Sequence, residues 1–227
     1  MTSINRYDEV ASFEKVSFDT WMKSMPPIFV ADEKDDIETS TKKSEMRKKY
    51  EDLYNDIILP SRATPGSAGY DFFLPFSEIC LGPNDTVIIP TGIKCELDEG
   101  FMLQLYPRSS HGIRHRISLA NTVGIIDSDY YNNEDNEGHI MVALHNNCDL
   151  DGIPLVKVTH PITGEQSVTI DVRSKEFQAR LFNIAPGTAF CQGIIVPYGT
   201  IIADTPRNDK RKGGIGSTTE SSNSPEN

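Results

Sequence analysis

The sequence has 227 residues and a formal net charge of −11 at pH 7. This length suits one well-packed domain and argues against a second large one, and the acidic balance excludes a general nucleic-acid binder, which needs a basic surface to neutralise phosphates. No run approaches the ~18 apolar residues of a membrane span, and acidic residues stand where a secretory signal needs basic and apolar ones, so we expect a cytoplasmic protein that binds neither nucleic acid nor membrane.

Residues 1–55 predict a helical N-terminal extension. Ser17 is placed to cap a helix whose apolar face consists of Phe18, Trp21, Met22 and Met25 before Pro26 ends it. Ser44 is placed to cap a second helix with Met46, Tyr50, Leu53 and Tyr54 along one face. The charged residues 31–43 between them predict a linker, and both apolar faces are expected to dock on the core.

Residues 56–206 predict an all-β core. Short apolar runs at 86–89, 101–106, 139–144 and 193–196 are separated by Gly, Pro, Asn and Asp, which is typical of many short strands in a sandwich or barrel. Residues 157–171 predict a hairpin and residues 177–184 a further strand. Residues 207–227 predict a flexible, glycine-rich C-terminal arm, because they cannot bury enough apolar area to fold alone.

Five short segments carry the functional signal. One of them, residues 121–130, places two acids, Asp127 and Asp129, after an apolar run that contains Gly124, which predicts a hairpin-like turn. In chain order the segments are ATPGSAGYD (63–71), PRSS (107–110), NTVGIIDSDY (121–130), GTAFCQ (187–192) and GGIGST (213–218). Together they resemble the five motifs of the trimeric dUTP pyrophosphatase family, and the resemblance covers residues 56 to 218.

The resemblance implies a jelly-roll-like β-barrel and a homotrimer whose subunits share active sites. It implies magnesium-assisted hydrolysis of dUTP to dUMP and pyrophosphate, which limits uracil entry into DNA and supplies a thymidylate precursor. Water would attack the α-phosphorus in line with the leaving pyrophosphate. Because Mg²⁺ is a hard cation that prefers oxygen ligands, the phosphates would supply most of its ligands.

The resemblance also implies roles for individual residues. Asp127 corresponds to the general base that activates water, and Arg108 to a catalytic phosphate contact. Ser109, Ser110 and Gln192 would bind phosphate, and Asp71 would contact Mg²⁺ through water. The remaining substrate-binding positions are Asn121, Gly124, Ile125 and Ile126 around the base, Tyr130 against the deoxyribose, Met141, and Lys210, Arg211, Gly213, Gly214, Ile215, Gly216, Ser217 and Thr218 in the arm.

Three departures from the family pattern concern the site. Ile215 replaces the phenylalanine of the arm that stacks on uracil. The basic residue that precedes it in the family is displaced, so that Arg211 and Lys210 are alternatives for one role. Residues 131–137 form an insertion where the family has about one residue, so a loop has grown next to Tyr130.

Other interpretations remain open from the residues. A dCTP deaminase of the same fold also carries an Arg-Ser-Ser segment, but its chemistry needs a glutamate where this chain has Ala143. A dUTP-binding regulatory protein with little turnover would retain the binding residues, whereas a structural or lectin-like barrel gives no reason for them. His111 and His115, four residues apart, are a minor candidate for a metal site, and the four widely spaced cysteines predict small, reduced, mostly buried residues.

Overall fold

The computed structural model describes residues 9–25, 37–159, 164 and 166–206. Within these residues the chain is mainly β, with helices concentrated towards its N-terminus. The strands are β1 (Ala11–Lys15), β2 (Ser61–Arg62), β3 (Tyr70–Phe73), β4 (Ile79–Leu81), β5 (Thr86–Pro90), β6 (Ile93–Leu97), β7 (Phe101–Pro107), β8 (Ile117–Leu119), β9 (Gly124–Ile126), β10 (Met141–Asn146), β11 (Leu155–Thr159), β12 (Gln166–Ile170), β13 (Phe182–Ile184) and β14 (Ala189–Pro197). The helices are α1 (Phe18–Lys23), α2 (Ile37–Asn55), α3 (Ser109–His115) and α4 (Lys175–Gln178), with a 3-10 turn at Ser128–Tyr130.

In the described ranges the strands pair antiparallel in five separate sheets. The largest has the order β2-β3-β14-β7-β9, and a second has the order β5-β10-β8. The pairs β1-β6, β11-β12 and β13-β4 make up the rest. Across the described residues the hydrogen-bonded ladders do not run continuously around a closed barrel. The prediction of an all-β protein is confirmed only in its coarser form, a mainly β fold with N-terminal helices.

Strand β7 shows how the sequence sets the two faces of the largest sheet. Leu103 and Leu105 are fully buried, whereas Met102, Gln104 and Tyr106 between and beside them are half-exposed. This period of two is what a pleated strand with one core face produces. The neighbouring strand β14 keeps Gly193 at the crowded point, since a Cβ there would lie 2.7 Å from Cδ1 of Leu103.

The N-terminal segment is only partly helical. Ser17 caps α1 by accepting a hydrogen bond from the backbone of Thr20, as predicted, and Trp21 is fully buried with its indole N–H donating to the carbonyl of Pro90 at 3.2 Å. The prediction that residues 1–55 are helical is wrong at β1, which pairs with β6 and exposes Ser12 and Glu14 on alternate positions. The alternation of exposed and half-buried residues in β1 covers only five residues. In the sequence it is too short to be distinguished from the helical pattern that follows it.

The second N-terminal helix begins earlier than predicted. Helix α2 starts at Ile37, so the proposed cap Ser44 lies inside it and part of the predicted linker is helical. The predicted apolar face does dock, because Tyr50, Leu53 and Tyr54 pack against the core. The sequence did not show the start of the helix, because charged residues such as Glu38, Lys42 and Lys43 are as compatible with a solvated linker as with a helix.

The region after β10 carries the predicted hairpin. Strands β11 and β12 pair with Leu155 opposite Ile170, and residues 160–163 and 165 at the predicted tip lie outside the described residues. The predicted strand at 177–184 is shorter, because Ser174 caps helix α4 by accepting from the N–H of Phe177. None of the helices in the described ranges combines the length and apolarity needed to cross a bilayer.

Candidate active site

A cleft of about 430 Å³ opens at one end of the largest sheet. It lies where β3 and β14 run beside the end of β7, so three of the five sequence segments meet there. Its lining residues are Ala63, Ser67, Ala68, Gly69, Asp71, Arg108, Ser109, Ser110, Gln192 and Ile194. The fold therefore brings together the predicted Asp71, Arg108, Ser109, Ser110 and Gln192.

Arg108 supplies the positive charge among the described residues that line this cleft. It follows the last residue of β7 in extended conformation, and its Nε lies 3.4 Å from Oδ1 of Asp71 on β3. Its Nη1 also donates to the carbonyl of Ala189 at 3.3 Å. These two contacts come from different strands and fix the plane of the guanidinium, which leaves its other donors to face the cleft.

Gln192 faces Asp71 across the sheet and packs against a glycine. Its Nε2 donates to the carbonyl of Pro107 at 3.3 Å, and its Oε1 would lie 2.6 Å from a Cβ placed on Gly69. Gly69 thus leaves the room that the amide group occupies. Sequence reasoning placed Gly69, Ala63, Ser67 and Ala68 in a motif without assigning them to the site, and Ile194 was missed because an apolar strand residue carries no chemical signal.

Ser109 and Ser110 begin helix α3 and are exposed to the cleft. His111 behind them is buried, with Nδ1 lying 3.2 Å from the carbonyl of Phe190. Burial is the main cause that lowers the pKa of His111, and the nearby Arg108 acts in the same direction. His111 and His115 both lie against the ring of Phe182.

The 121–130 segment connects two different sheets. Strand β8 before it pairs with β10, and strand β9 within it pairs with β7, so β8 and β9 are not partners in a ladder-paired hairpin. The turn between them includes Asn121 and is closed by a hydrogen bond from the N–H of Thr122 to the carbonyl of Leu119 at 3.1 Å, with Thr122 at a φ of 63°. The predicted hairpin is thus a tight inter-sheet turn, because the register of each strand follows a different neighbour.

The other predicted residues of this segment follow the turn. Gly124 is buried against Leu105, whereas Ile125 is exposed and Ile126 is half-buried on β9. Asp127 is half-buried and precedes the 3-10 turn that ends at Tyr130.

Tyr130 is buried and its hydroxyl donates to the carbonyl of His139 at 2.9 Å. Met141 begins β10, opposite Pro90, and is half-buried. None of the residues from Asn121 to Tyr130, and not Met141, lines the cleft of the described chain.

The geometry separates Arg108 from Asp127. Ile126 pairs with Leu103 near the start of β7, whereas Arg108 follows the end of β7. The five intervening steps of extended chain span roughly 17 Å at about 3.3 Å per residue. A general base acts over hydrogen-bond distance or through one water, so one copy of the chain does not bring these two groups to the same phosphorus.

The predicted arm residues Lys210, Arg211, Gly213, Gly214, Ile215, Gly216, Ser217 and Thr218 lie outside the described residues. Among the residues that are described, no group of three or more His, Cys, Asp or Glu side chains could hold a metal ion. Cys95 and Cys191 are buried, Cys148 is half-buried and Cys80 is exposed, and all four are free thiols.

Comparison with known proteins identifies the family. The sequence model described as dUTPase matches residues 55–151. Two proteins named deoxyuridine 5'-triphosphate nucleotidohydrolase are similar: one from Lactococcus lactis subsp. lactis is 33% identical over 71% of this chain and 88% of its own length, and one from Hahella chejuensis is 34% identical over 73% and 90%. A crystal structure of dUTPase from Streptococcus mutans aligns with 28% identity and a TM-score of 0.48, over 65% of this chain and 91% of that one. Because the two sequence relatives match over most of their length, this chain belongs to the dUTPase family.

Proposed function

We propose that this chain hydrolyses dUTP to dUMP and pyrophosphate. The observation that carries this proposal is the cleft in which the guanidinium of Arg108 stands beside the hydroxyls of Ser109 and Ser110 and the amide of Gln192. A guanidinium offers forked donors that match phosphate oxygens, and neutral hydroxyl and amide donors add hydrogen bonds without further charge. In a chain with a net charge of −11, this cluster is where an anionic polyphosphate is favoured.

The reaction needs a base beside the α-phosphorus. Asp127 takes a proton from water as the water oxygen forms a bond to that phosphorus. The bond from phosphorus to the α,β-bridging oxygen breaks, and its electron pair leaves with pyrophosphate. A carboxylate suits this role because it accepts a proton at hydrogen-bond distance, and the extended backbone at Asp127 before the 3-10 turn holds it on a short, ordered segment.

Recognition of the base and sugar falls to the inter-sheet turn and its surroundings. Backbone groups of residues 121–126 pair with the uracil edge, and a cytosine would leave them unpaired, which discriminates strongly in a buried site. Met141 lies at the start of the neighbouring strand. Tyr130 packs against the deoxyribose, where a ribose 2'-hydroxyl would collide, and its buried ring is held rigidly enough to act as a steric check.

Magnesium fits this arrangement as a partner of the substrate. When bound, Mg²⁺ neutralises part of the triphosphate charge and helps to orient the phosphates. Asp71 is the carboxylate on the cleft wall, and its ion pair with Arg108 leaves it suited to an outer contact through water. Because Mg²⁺ is a hard cation that prefers oxygen ligands, the phosphates would supply most of the ligands.

We further propose that the active form is a homotrimer with shared sites. The separation of Asp127 from Arg108 along β7 supports this, since a second copy would have to supply the missing half of each site. The arm of residues 207–227 would close over the nucleotide bound to another subunit. Lys210 or Arg211 and the backbone amides of the glycine-rich segment would then contact the distal phosphates. Residues 1–55 and 56–206 would then be the extension and the jelly-roll-like barrel core, for which the non-sequential strand order of the largest sheet is the support.

One experiment tests the activity. The purified full chain is incubated with Mg²⁺ and dUTP, dCTP, UTP or dTTP in separate reactions, and pyrophosphate and the product base are measured. Release of pyrophosphate from dUTP, with little from the other three, is expected. Ammonia release from dCTP would favour the deaminase, dUTP binding without pyrophosphate would favour a regulatory protein, and equal use of UTP would refute the sugar check at Tyr130.

A further inference from the structure

The inserted loop of residues 131–137 is tied to the N-terminal segment by one carboxylate. Glu137 accepts hydrogen bonds from the backbone N–H of Ser17 at 2.9 Å and from the hydroxyls of Ser17 and Thr20 at 2.5 Å. Ser17 is the N-cap of α1 and accepts from the N–H of Thr20 at 3.2 Å. Glu137 therefore accepts hydrogen bonds from the donors at the start of α1, although it lies in another part of the chain. The glutamate of a capping box does the same from within a helix.

The bonds at this junction favour the charged carboxylate. Partial burial raises the pKa of Glu137, but the hydrogen bonds from Ser17 and Thr20 outweigh it and bring the pKa down to about 2. The carboxylate of Glu137 is therefore ionised at neutral pH, and hydrogen bonds to an ionised acceptor are stronger than those between neutral groups.

The same loop closes around Tyr130. Asn133 donates to the carbonyl of Tyr130 at 2.8 Å, and Asn136 donates to the Tyr130 hydroxyl at 2.8 Å. Glu137 completes the closure through its backbone, since its N–H donates to the carbonyl of Asn133 at 3.0 Å and its carbonyl accepts from Asn132 at 3.1 Å. The loop thus holds both ends of the tyrosine, and Glu137 is the point at which the loop is anchored.

The fit of the loop against the tyrosine is close. Gly138 has a φ of 80°, and a Cβ there would lie 2.7 Å from the carbonyl oxygen of Tyr130. Only glycine meets both requirements without strain. Movement of the loop would therefore be transmitted to Tyr130 rather than absorbed by free space.

A second contact ties the first half of the loop to the same N-terminal segment. Lys94 donates to Oδ1 of Asn132 at 2.6 Å and lies 3.7 Å from a carboxylate oxygen of Glu14 on β1. Its ammonium also lies 5.1 Å from the centre of the Tyr131 ring. The inserted loop is thus connected to the N-terminal segment at two places, directly by Glu137 and through the side chain of Lys94.

We propose that Glu137 is a positioning residue for sugar recognition, bracing the loop that holds Tyr130 against residues 17–20 of the N-terminal segment. The inference rests on the proposed function, because it assigns Tyr130 to the sugar check of dUTP hydrolysis. It gives the N-terminal segment and the insertion one joint role. A loop that only stabilised the fold would affect dUTP and UTP alike.

The test uses the full chain with Glu137→Gln, whose amide keeps the size of the side chain but replaces one acceptor oxygen by a donor. The ratio of kcat/KM for dUTP over that for UTP is expected to fall by about tenfold, since a small misplacement of a recognition group is felt strongly. KM for dUTP should rise while kcat changes little. Glu134→Gln, in the same loop and exposed, is the matched control and should keep the wild-type ratio.

Thr20→Val removes the opposing hydroxyl without changing shape and should lower the same ratio. The double variant should lower the dUTP over UTP ratio by less than the product of the two single effects, because both substitutions act through the same junction. Thr20→Val alone also serves if Glu137→Gln fails to fold. Unchanged dUTP over UTP ratios in folded variants, with only the melting temperature lowered, would overturn the proposal. A wild-type chain that releases no pyrophosphate from dUTP would instead refute the proposed function, and this inference with it.

Discussion

Nε of Arg108 lies 3.4 Å from Oδ1 of Asp71, and the two side chains reach the cleft from the residue that follows β7 and from β3. The pair is partly exposed, so it contributes little to the free energy of folding. The contribution of the ion pair is to orient the guanidinium of Arg108. Asp71 holds one edge of the guanidinium, and the carbonyl of Ala189 holds another, so the orientation of the remaining donors is fixed.

Replacing Arg108 by lysine keeps the charge and removes this geometry. An ammonium cannot contact Asp71, the Ala189 carbonyl and a phosphate in one plane, so kcat/KM for dUTP should fall by about 10- to 1000-fold. Arg114→Lys, at an exposed position of the same helix, is the control and should retain wild-type turnover. Full activity of Arg108→Lys in a pyrophosphate-release assay would show that only net charge matters at this position.

Asp127→Asn should abolish turnover and leave nucleotide binding. An amide cannot take a proton from water, and loss of general base catalysis costs about 100- to 10,000-fold in rate. Asp129→Asn, two residues along the same turn and exposed, should remain active. Calorimetric titration with dUTP and pyrophosphate release measure the two quantities separately, and an active Asp127→Asn enzyme would remove Asp127 from the mechanism.

Shared sites predict complementation between two inactive chains. When Asp127→Asn and Arg108→Ala chains are mixed, unfolded and reassembled in equal amounts, roughly one quarter of the sites in random trimers combine an intact Arg108 with an intact Asp127 from different subunits. Activity should reappear to about that fraction of the wild type. Asp127→Asn mixed with a chain carrying both substitutions is the control and should stay inactive. No recovery in the first mixture would place each complete site within a single chain.

Gly69→Ala should damage substrate binding more than stability. A Cβ at Gly69 would lie 2.6 Å from Oε1 of Gln192, and this end of the side chain can move aside, so the amide would leave its place on the cleft wall. We expect KM for dUTP to rise about tenfold, in keeping with the loss of one hydrogen-bonding group, and the melting temperature to stay nearly constant. Gly66→Ala, in the same loop with open space around it, should change neither.

Five of the residues that line the cleft could be named from the sequence because they lie in short, recognisable segments. Arg108, Ser109 and Ser110 are contiguous, and Asp71 and Gln192 belong to short segments with recognisable composition. Their meeting in one cleft depends on the pairing of β3 with β14 and β14 with β7, which brings residues more than 80 positions apart together. No local pattern encodes that pairing.

The elements that sequence reasoning missed depend on tertiary contacts. Strand β1 is a strand because β6 offers it a free edge, and the turn at Asn121 joins two sheets because β8 and β9 each find a different partner. The insertion after Tyr130 was visible as extra residues, but its junction with Ser17 links positions 120 residues apart. Such contacts are decided by packing, which overrides local propensity.

His139 gives the fold a dependence on pH. It is almost fully buried, and its Nε2 accepts a hydrogen bond from the N–H of Gly92 at 2.9 Å. Nε2 therefore carries no proton, and in the neutral ring the proton on Nδ1 is donated to the hydroxyl of Ser24 at 3.0 Å. A proton on Nε2 would face the N–H of Gly92, so two donors would meet without an acceptor between them.

The pKa of His139 is accordingly lowered by burial from 6.5 to about 4, although Glu137 acts in the opposite direction. Between these values the unfolded chain binds a proton that the folded chain does not, so the free energy of unfolding should fall as pH drops from 6.5 to about 4, by at most roughly 3 kcal/mol. Chemical denaturation at several pH values measures this slope. His139→Gln keeps an acceptor for Gly92 and cannot titrate, so its slope should be shallower. His111, whose pKa burial also lowers, and Glu137 at the acid end of the range would supply the remaining slope. An identical slope in the variant and the wild type would show that other groups govern acid unfolding.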